Sequence, residues 1–390
     1  METVFLLLIG ASMGALVVSL LARMALSWVL RRQQVPSAES YPKVSILKPV
    51  KGDHPTLYDN LLAVANQDYS DFEVLIGIAD GDDPAHAVAR RVQAQCEAGR
   101  VRIILGAPDI GLNPKVSNVH HMLQYTDAPW ILISDADVHP GQNYLREAMD
   151  WALFQGASLV HHSLRGIAGK SFTSQLESFH MAGWVAPAIA AAEVCNHPCV
   201  IGKSMLLERD ALEAVGGVHA FRNVLAEDYL IGNALHRKGY RVKMAPKALP
   251  VHLAKRSFSE IVNRYLRWAQ MQRKINFPAF IAEWFLCATP WAILGMFSAM
   301  SIGSVEAAFT IGCLFGLRSM SDFLHASRDE NAWTFFGPLW MPIRESFALA
   351  MWFAACSSST IDWKGRKMSI LPGSRLSPLQ SHSAVTEELA

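Results

Sequence analysis

Three small clusters of charged residues, far apart in this chain, carry side chains suited to one piece of chemistry. Asp135-Ala136-Asp137 follows the apolar run Trp130-Ile131-Leu132-Ile133. Glu227-Asp228 comes much later, and Arg264-Tyr265-Leu266-Arg267-Trp268 precedes a long apolar region. Two carboxylates on one side of an extended turn can share a divalent ion. Mg²⁺ and Mn²⁺ favour such oxygen ligands and complete their shells with phosphates and water. The same pair would also serve as an acidic turn capping the next helix. Asp228 can deprotonate an attacking hydroxyl, or Glu227-Asp228 can simply complement the dipole of a helix beginning near Tyr229. Arg264, Arg267 and Trp268 share a helical face by their spacing. Two guanidiniums there can hold a departing diphosphate, and the same face would equally anchor a helix to lipid headgroups. In this order the clusters are the parts needed to move a sugar off a nucleotide diphosphate.

Other residues could join them. Asp80-Gly81-Asp82-Asp83-Pro84 ends an apolar run, and its carboxylates could hold a base or ribose. Pro84 also fits the first turn of a capped helix. Lys115 and Asn118, after Gly111-Leu112-Asn113-Pro114, could contact phosphate or ribose, although a lone loop lysine is more often solvated. Cys195-Asn196-His197-Pro198-Cys199 does not have zinc spacing, and His161-His162 reads as structural or substrate-lining. The chain has no Gly-x-Ser-x-Gly, P-loop or dinucleotide fingerprint.

The elements that must position these residues alternate. Val44 to Leu47 reads as a strand stopped by Lys48-Pro49, and further strands fall at 72–78, 101–105 and 130–134. Helices are expected at 58–65, 85–98 and 115–124. This order predicts an α/β fold with a mostly parallel sheet, whose ligands bind beyond the carboxyl ends of the strands. Lys48, Asp80, Asp83, Asp135 and Asp137 all lie there.

The 390 residues carry a net charge of +1 with no long basic block, so no nucleic-acid partner is expected. Hydrophobic residues make up 51% and charged ones 18%, with the apolar excess at the two ends. Val4 to Leu30 is long enough to span a bilayer, which takes about 20 residues. Arg31-Arg32 after it predicts a retained anchor (1–32) with its following domain in the cytoplasm. Residues 178–195 suit either an interfacial helix or a core helix. Trp284 to Ser301 and Val305 to Met320 read as spans within an apolar region, 280–360. In Leu339 to Ala355, Arg344-Glu345 would be costly in hydrocarbon, so a partly interfacial segment is expected. Beyond Leu371, within the tail 361–390, the chain reads as disordered.

Taken together, the chain resembles the ceramide glucosyltransferases, a branch of the inverting glycosyltransferases with the GT-A fold. The resemblance runs from Val44-Ser45-Ile46-Leu47-Lys48-Pro49 through Asp83 and the Gly111 to Lys115 loop. It continues through Asp135, Asp228 and the Arg264 to Trp268 signature to Trp363-Lys364-Gly365-Arg366. Animal members lack a carboxylate where Asp137 stands, whereas bacterial relatives often carry both. Bacterial hopanoid-lipid glycosyltransferases share nearly all these motifs. The resemblance implies a GT-A catalytic domain at 43–275 that takes UDP-glucose and a divalent metal, Mg or Mn. It implies a lipid acceptor, ceramide or a hopanoid, that enters between residues 178–195 and the C-terminal helices of a multi-pass protein of the bacterial inner membrane. In that reading Asp228 is the base and Asp135 and Asp137 hold the metal. Lys48, Asp80, Asp83, Lys115, Asn118 and Asp135 hold the donor, and Arg264, Arg267 and Trp268 close on the diphosphate.

Overall fold

The computed structural model describes residues 1–31, 35–253, 255–327, 332–363 and 366–379. Its centre is a sheet of seven strands in the order β3-β2-β1-β4-β7-β5-β8. These are β1 (Val44–Val50), β2 (Phe72–Ile78), β3 (Val101–Leu105), β4 (Trp130–Ser134), β5 (Leu159–His161), β7 (Ser204–Glu208) and β8 (Val242–Met244). β6 (Leu164–Ala168) pairs in parallel with β9 (Leu249–Leu253) beside it. β1 to β4 run parallel to one another, and β7 runs antiparallel to both β4 and β5. The first four strands are nearly continuous apolar runs because helices cover both faces. Lys48-Pro49 does not stop β1. Pairing with β4 ends at Leu47, so the proline's missing N–H falls where β1 no longer has strands on both sides.

The covering helices are α2 (Leu57–Ala65), α3 (Ala85–Gln93), α4 (Pro114–Leu123), α5 (Tyr144–Gln155), α8 (Arg209–Ala214) and α9 (Glu227–Arg237). α3 ends at Gln93, short of the expected Ala98.

The apolar ends pack into one helical assembly. α1 (Glu2–Leu30) lays Ser12, Ala15, Ser19 and Ala22 inward and leaves Leu6, Leu7, Leu21, Met24 and Trp28 exposed. Its partner α12 (Ala288–Ser301) approaches so closely that a Cβ on Gly295 would lie 2.6 Å from the Ser12 Cβ. The stretch expected at 178–195 is one helical run from Phe172 to Val194. It comprises α6 (Phe172–His180), a π-helical turn (Met181–Val185) and α7 (Ala186–Val194), mostly buried. Phe179 stacks on Trp340 at 4.5 Å, so the seam through which acceptor entry was expected is packed shut at this point.

α10 (Phe258–Ile275) leads into α11 (Phe277–Leu286), followed by α12, α13 (Val305–Ala326) and α14 (Trp340–Ser357). Among the described residues α1 alone is long and apolar enough to cross a membrane as one helix, with a mean hydropathy of 2.5. α11 and α12 meet that measure only together, bent by 57°. Trp284 to Ser301 is therefore not one straight span. In a continuous helix Pro290 would clash with the carbonyl of Leu286, four residues back, and the break falls at Cys287 between the two helices. α13, with Glu306, Arg318 and Asp322, also falls short of the expected span.

Arg344 and Glu345 face the protein interior rather than hydrocarbon. Both are buried, and Glu345 caps α12 by accepting from the N–H groups of Ala288 (3.1 Å) and Thr289 (2.7 Å). Arg344 pairs with Asp322 at 3.0 Å and Glu345 at 3.1 Å. Arg23 and Arg318 also pair with Asp322 and donate to the carbonyls of Ala182 and Gly183 in the π-turn. Pairing removes the cost that led to the interfacial expectation.

Nor is the tail beyond Leu371 disordered through Leu379. β10 (Thr360–Trp363), β11 (Arg366–Ile370) and β12 (Leu376–Pro378) form an antiparallel sheet whose Met368, Ile370 and Leu376 pack on Leu225. Arg32, Gln33, Lys364, Gly365 and the chain beyond Leu379 lie outside the described residues. Replacing Glu345 by Ala should strip the α12 cap and leave Arg344 under-paired, a loss of roughly 3–5 kcal/mol. Thermal unfolding in detergent micelles would show a clear fall in Tm, with exposed Glu306→Ala near wild type.

Candidate active site

The site forms where β4 ends. Ser134 pairs with Ser204 of the antiparallel β7, so the residue leaving one strand lies beside the residue entering the other. The Asp135 N–H donates to the Lys203 carbonyl at 3.2 Å. The Lys203 ammonium reaches back to both Asp137 oxygens at 2.7 Å and to Asp135 Oδ2 at 3.1 Å. The other Asp135 oxygen takes the Lys115 ammonium at 2.9 Å. Lys48, wholly buried under the turn, donates to the Asp135 carbonyl at 2.5 Å and to Ser134 Oγ at 3.3 Å.

Lys115 is not a solvated loop lysine; it lies in the first turn of α4. Asn113 caps that turn by accepting from the N–H groups of Lys115 and Val116. The Asn113 amide also donates to Glu227 Oε2 at 3.0 Å, tying the α4 cap to the start of α9. Gly111 makes this loop possible, since a Cβ there would lie 2.7 Å from the Arg222 carbonyl oxygen. Lys115 completes its contacts with Glu227 Oε1 at 3.1 Å and the Gly202 carbonyl at 3.2 Å.

Asp228 sits across Gly202 from this cluster. Its Oδ2 accepts the Gly202 N–H at 2.5 Å, and its Oδ1 accepts from Tyr229 at 2.8 Å. A Cβ at residue 202 would meet Asp228 Oδ2 at 2.8 Å and Lys115 Nζ at 2.9 Å. Only glycine admits both side chains. The segment before Asp228 is held from the C-terminal part of the chain, where Ser374 Oγ accepts from the N–H groups of Leu225 and Ala226 at 3.1 and 2.9 Å.

The electrostatics separate two kinds of carboxylate. Burial alone would raise Asp135, but Lys115 and Lys203 hold it well below the ordinary range. Asp137 is lowered too, Lys203 outweighing its burial. In Asp228, burial and the neighbouring Glu227 charge prevail, and its carboxyl is pushed up to about 6. A carboxylate with that value is a base near neutral pH. Burial lowers Lys48 to about 8.

α10 brings the arginines. Ser257 and Glu260 form a reciprocal capping box at its start. Arg264 pairs with buried Glu177 at 3.3 Å and lies over the Trp268 ring at 4.9 Å. Asp137 and Asp135 also act on it electrostatically. Arg267 has no ion-pair partner among the described residues, and burial together with Arg264 lowers it to about 10.

The expected donor residues divide. Lys115, Asp135, Asp137 and Asp228 converge, with Lys48 beneath them. Asn118 donates to the Gly77 carbonyl at 2.8 Å behind the sheet, which commits its amide to β2. Asp83 accepts from Gly52 at 2.9 Å and from Ala85 at 2.9 Å, joining the loop after β1 to the start of α3. Asp80 accepts from the N–H of Asp82. Sequence reasoning missed Lys203, Gly202, Glu177 and Ser374. Lys203 precedes the short apolar run Met205-Leu206-Leu207, and reading that run as a strand would have drawn attention to it.

Asp135 and Asp137 fit a divalent ion, since both aim at one cation position, held here by an ammonium. Among the described residues no group of three His, Cys, Asp or Glu side chains forms a metal cage. Two carboxylates completed by phosphates and water are the usual Mg²⁺ arrangement.

Parallel strands ending at carboxylates, a lysine-lined turn and a raised acid on a helix start define a GT-A-type glycosyltransferase, an enzyme that takes a nucleotide-sugar donor and an acceptor. The chain belongs to glycosyl transferase family 21, whose model matches residues 11–376. It is 22% identical to ceramide glucosyltransferase 3 of Caenorhabditis elegans over 88% of this chain and 76% of that protein. It is equally 22% identical to ceramide glucosyltransferase 1 of the same organism, over 90% of this chain and 76% of that one. The mannosyltransferase PcManGT of Pyrobaculum calidifontis, solved with GDP-Man and Mn²⁺, shares the fold. Its TM-score is 0.56 at 18% identity, covering 91% of this chain and 98% of that one.

Gly202→Ala should push Asp228 and Lys115 apart and lower kcat by about 100-fold, the cost of a misplaced catalytic group. Steady-state kinetics would show this, with the circular dichroism spectrum unchanged.

Proposed function

We propose that the protein transfers glucose from UDP-glucose to the primary hydroxyl of ceramide, with inversion. The observation that carries this reading is Asp228. It is a carboxyl raised to about 6 by burial and by Glu227, one glycine away from a lysine-held pair of carboxylates. Asp228 Oδ2 takes the proton of the acceptor hydroxyl, and that oxygen attacks the anomeric carbon from the face opposite the diphosphate. The bond from the anomeric carbon to phosphate oxygen breaks, UDP leaves with the electron pair, and Asp228 holds the proton. Base catalysis of this kind supplies about 10²- to 10⁴-fold.

Lys115, held by three acceptors, and Arg267, without an ion pair among the described residues, stabilise the charge on departing UDP. Arg264, fixed by Glu177, supports Trp268 at the edge of the site. Asp135 and Asp137 would hold Mg²⁺ or Mn²⁺, which neutralises the diphosphate. Asp83 and Asp80 border the nucleotide end, and Asn118 and Lys48 brace the sheet under the site. The apolar helix α1, with Arg31 after it, supports anchoring in the membrane with the catalytic domain on the cytoplasmic side. The C-terminal helices embed beside it, where a lipid acceptor is available.

Asp228→Asn should abolish transfer while UDP-glucose still binds by calorimetry; unchanged turnover would remove Asp228 from its role. Asp228 must be ionised to act, so kcat/KM should fall tenfold per pH unit below about 6. Glu227→Gln removes the charge that raises it and should move this acid limb to lower pH. The substrates are tested by supplying membranes with labelled UDP-glucose or UDP-N-acetylglucosamine and either ceramide or a hopanoid. Thin-layer chromatography should show glucosylceramide, whereas a labelled hopanoid or an N-acetylglucosaminyl lipid would reassign acceptor or donor.

A further inference from the structure

The cluster contains two lysines on one aspartate, and their surroundings differ. Lys115 has three acceptors from three segments: Asp135 at 2.9 Å, Glu227 at 3.1 Å and the Gly202 carbonyl at 3.2 Å. These hold it in place whatever happens to any one of them. Among the described residues the Lys203 ammonium has only Asp135 and Asp137, the two carboxylates that fit a divalent ion. Its 2.7 Å contacts with both oxygens of Asp137 place it where such an ion would lie.

A metal ion and this ammonium cannot share that position, because like charges at contact distance repel strongly in an enclosed site. The two carboxylates already have the Lys115 and Lys203 ammonium groups against them. A divalent ion added alone would leave Lys203 charged, enclosed and without an acceptor. A nucleotide diphosphate changes this balance, since it brings both the negative charge to offset the ion and oxygens for the displaced ammonium. The lysine stem has the freedom to turn, while its backbone stays fixed by the Asp135 N–H to Lys203 carbonyl bond.

We propose that Lys203 gates the cation site: it competes with the divalent ion for Asp135 and Asp137, so metal binds tightly only together with a nucleotide diphosphate, which takes over the ammonium. Lys203 is thus a positioning residue for the donor and the source of coupling between metal and nucleotide. The inference rests on the donor reading given above.

The test is Mn²⁺ binding to the full chain in detergent micelles, followed by electron paramagnetic resonance and calorimetry, with and without UDP. In the wild type UDP should tighten Mn²⁺ by about 30-fold or more, and Mn²⁺ should tighten UDP by the same factor, as linkage requires. Lys203→Met should bind Mn²⁺ without UDP at least about tenfold tighter than the wild type and lose most of the coupling. Lys203→Arg, which keeps the charge, should stay weak without UDP. Melting temperature and UDP binding check that each variant is folded, and the wild-type linkage stands as a test if a variant is not.

Equal Mn²⁺ affinity in wild type and Lys203→Met without UDP would overturn the gate, as would wild-type Mn²⁺ binding indifferent to UDP. UDP binding with no Mn²⁺ bound by any form would overturn the gate and leave the donor reading standing. Failure of the folded wild type to bind UDP at all would overturn both.

Discussion

The rest of the site depends on one pairing, the antiparallel contact of β4 with β7. In a wholly parallel sheet the strand beside β4 would present its own carboxyl end at this edge. Reversing β7 brings its amino end there instead, and with it the Ile201-Gly202-Lys203 approach. Lys203 meets Asp135 and Asp137 from that direction, and Gly202 meets Asp228 and Lys115. Asp228, the carboxylate pair and the lysines are therefore set relative to one another by this strand pairing and by the hydrogen bonds that Gly202 makes. Long side chains set at the right distance by sheet register lose little further freedom on ordering, which is the physical content of a preorganised site.

A second set of buried charges does similar work among the apolar helices. Asp322 gathers Arg23, Arg318 and Arg344, while Glu345 takes Arg344 and caps α12. Each guanidinium left over from one acid finds a π-turn carbonyl or another acid, so the cluster ties α1, α13 and α14 to the 172–194 run. The same run carries Glu177, which holds Arg256 at 2.7 Å and Arg264 at 3.3 Å. Burying charges is costly unless they are paired in this way. The arginine helix α10 is thus tied to this run through Glu177, and α1 is tied to it through the Ala182 carbonyl.

The parallel half of the sheet was legible in the sequence, because buried parallel strands are written as short apolar runs between helices. Asp135, Asp137, Lys115 and Asp228 were legible as well, since acidic or basic residues at strand and helix ends carry a local signature. β7, β8 and β9 were not read, and Lys203 was lost with β7. The tail beyond Leu371 looked unstructured because its order comes from Leu225, Ala226 and the other strands of its small sheet, all distant in sequence. The pairing of Arg344 and Glu345 was hidden for a related reason: the cost of a charge in an apolar helix can be judged locally, but its partner cannot.

The sequence by itself determined the family, the α/β alternation, the apolar N-terminal helix and the identity of the charged residues. Those properties are written in side-chain type and short-range spacing, which the chain carries whether folded or not. Only the tertiary structure decided which of the acids share cations and which one has its carboxyl raised. Asp135 and Asp228 are the same residue type, one just after a strand and the other in the first turn of a helix. Lys115 and Lys203 press one far down, while burial beside Glu227 lifts the other to about 6. That difference depends on distances of about 3 Å between residues tens of positions apart, and such distances exist only once the sheet has closed.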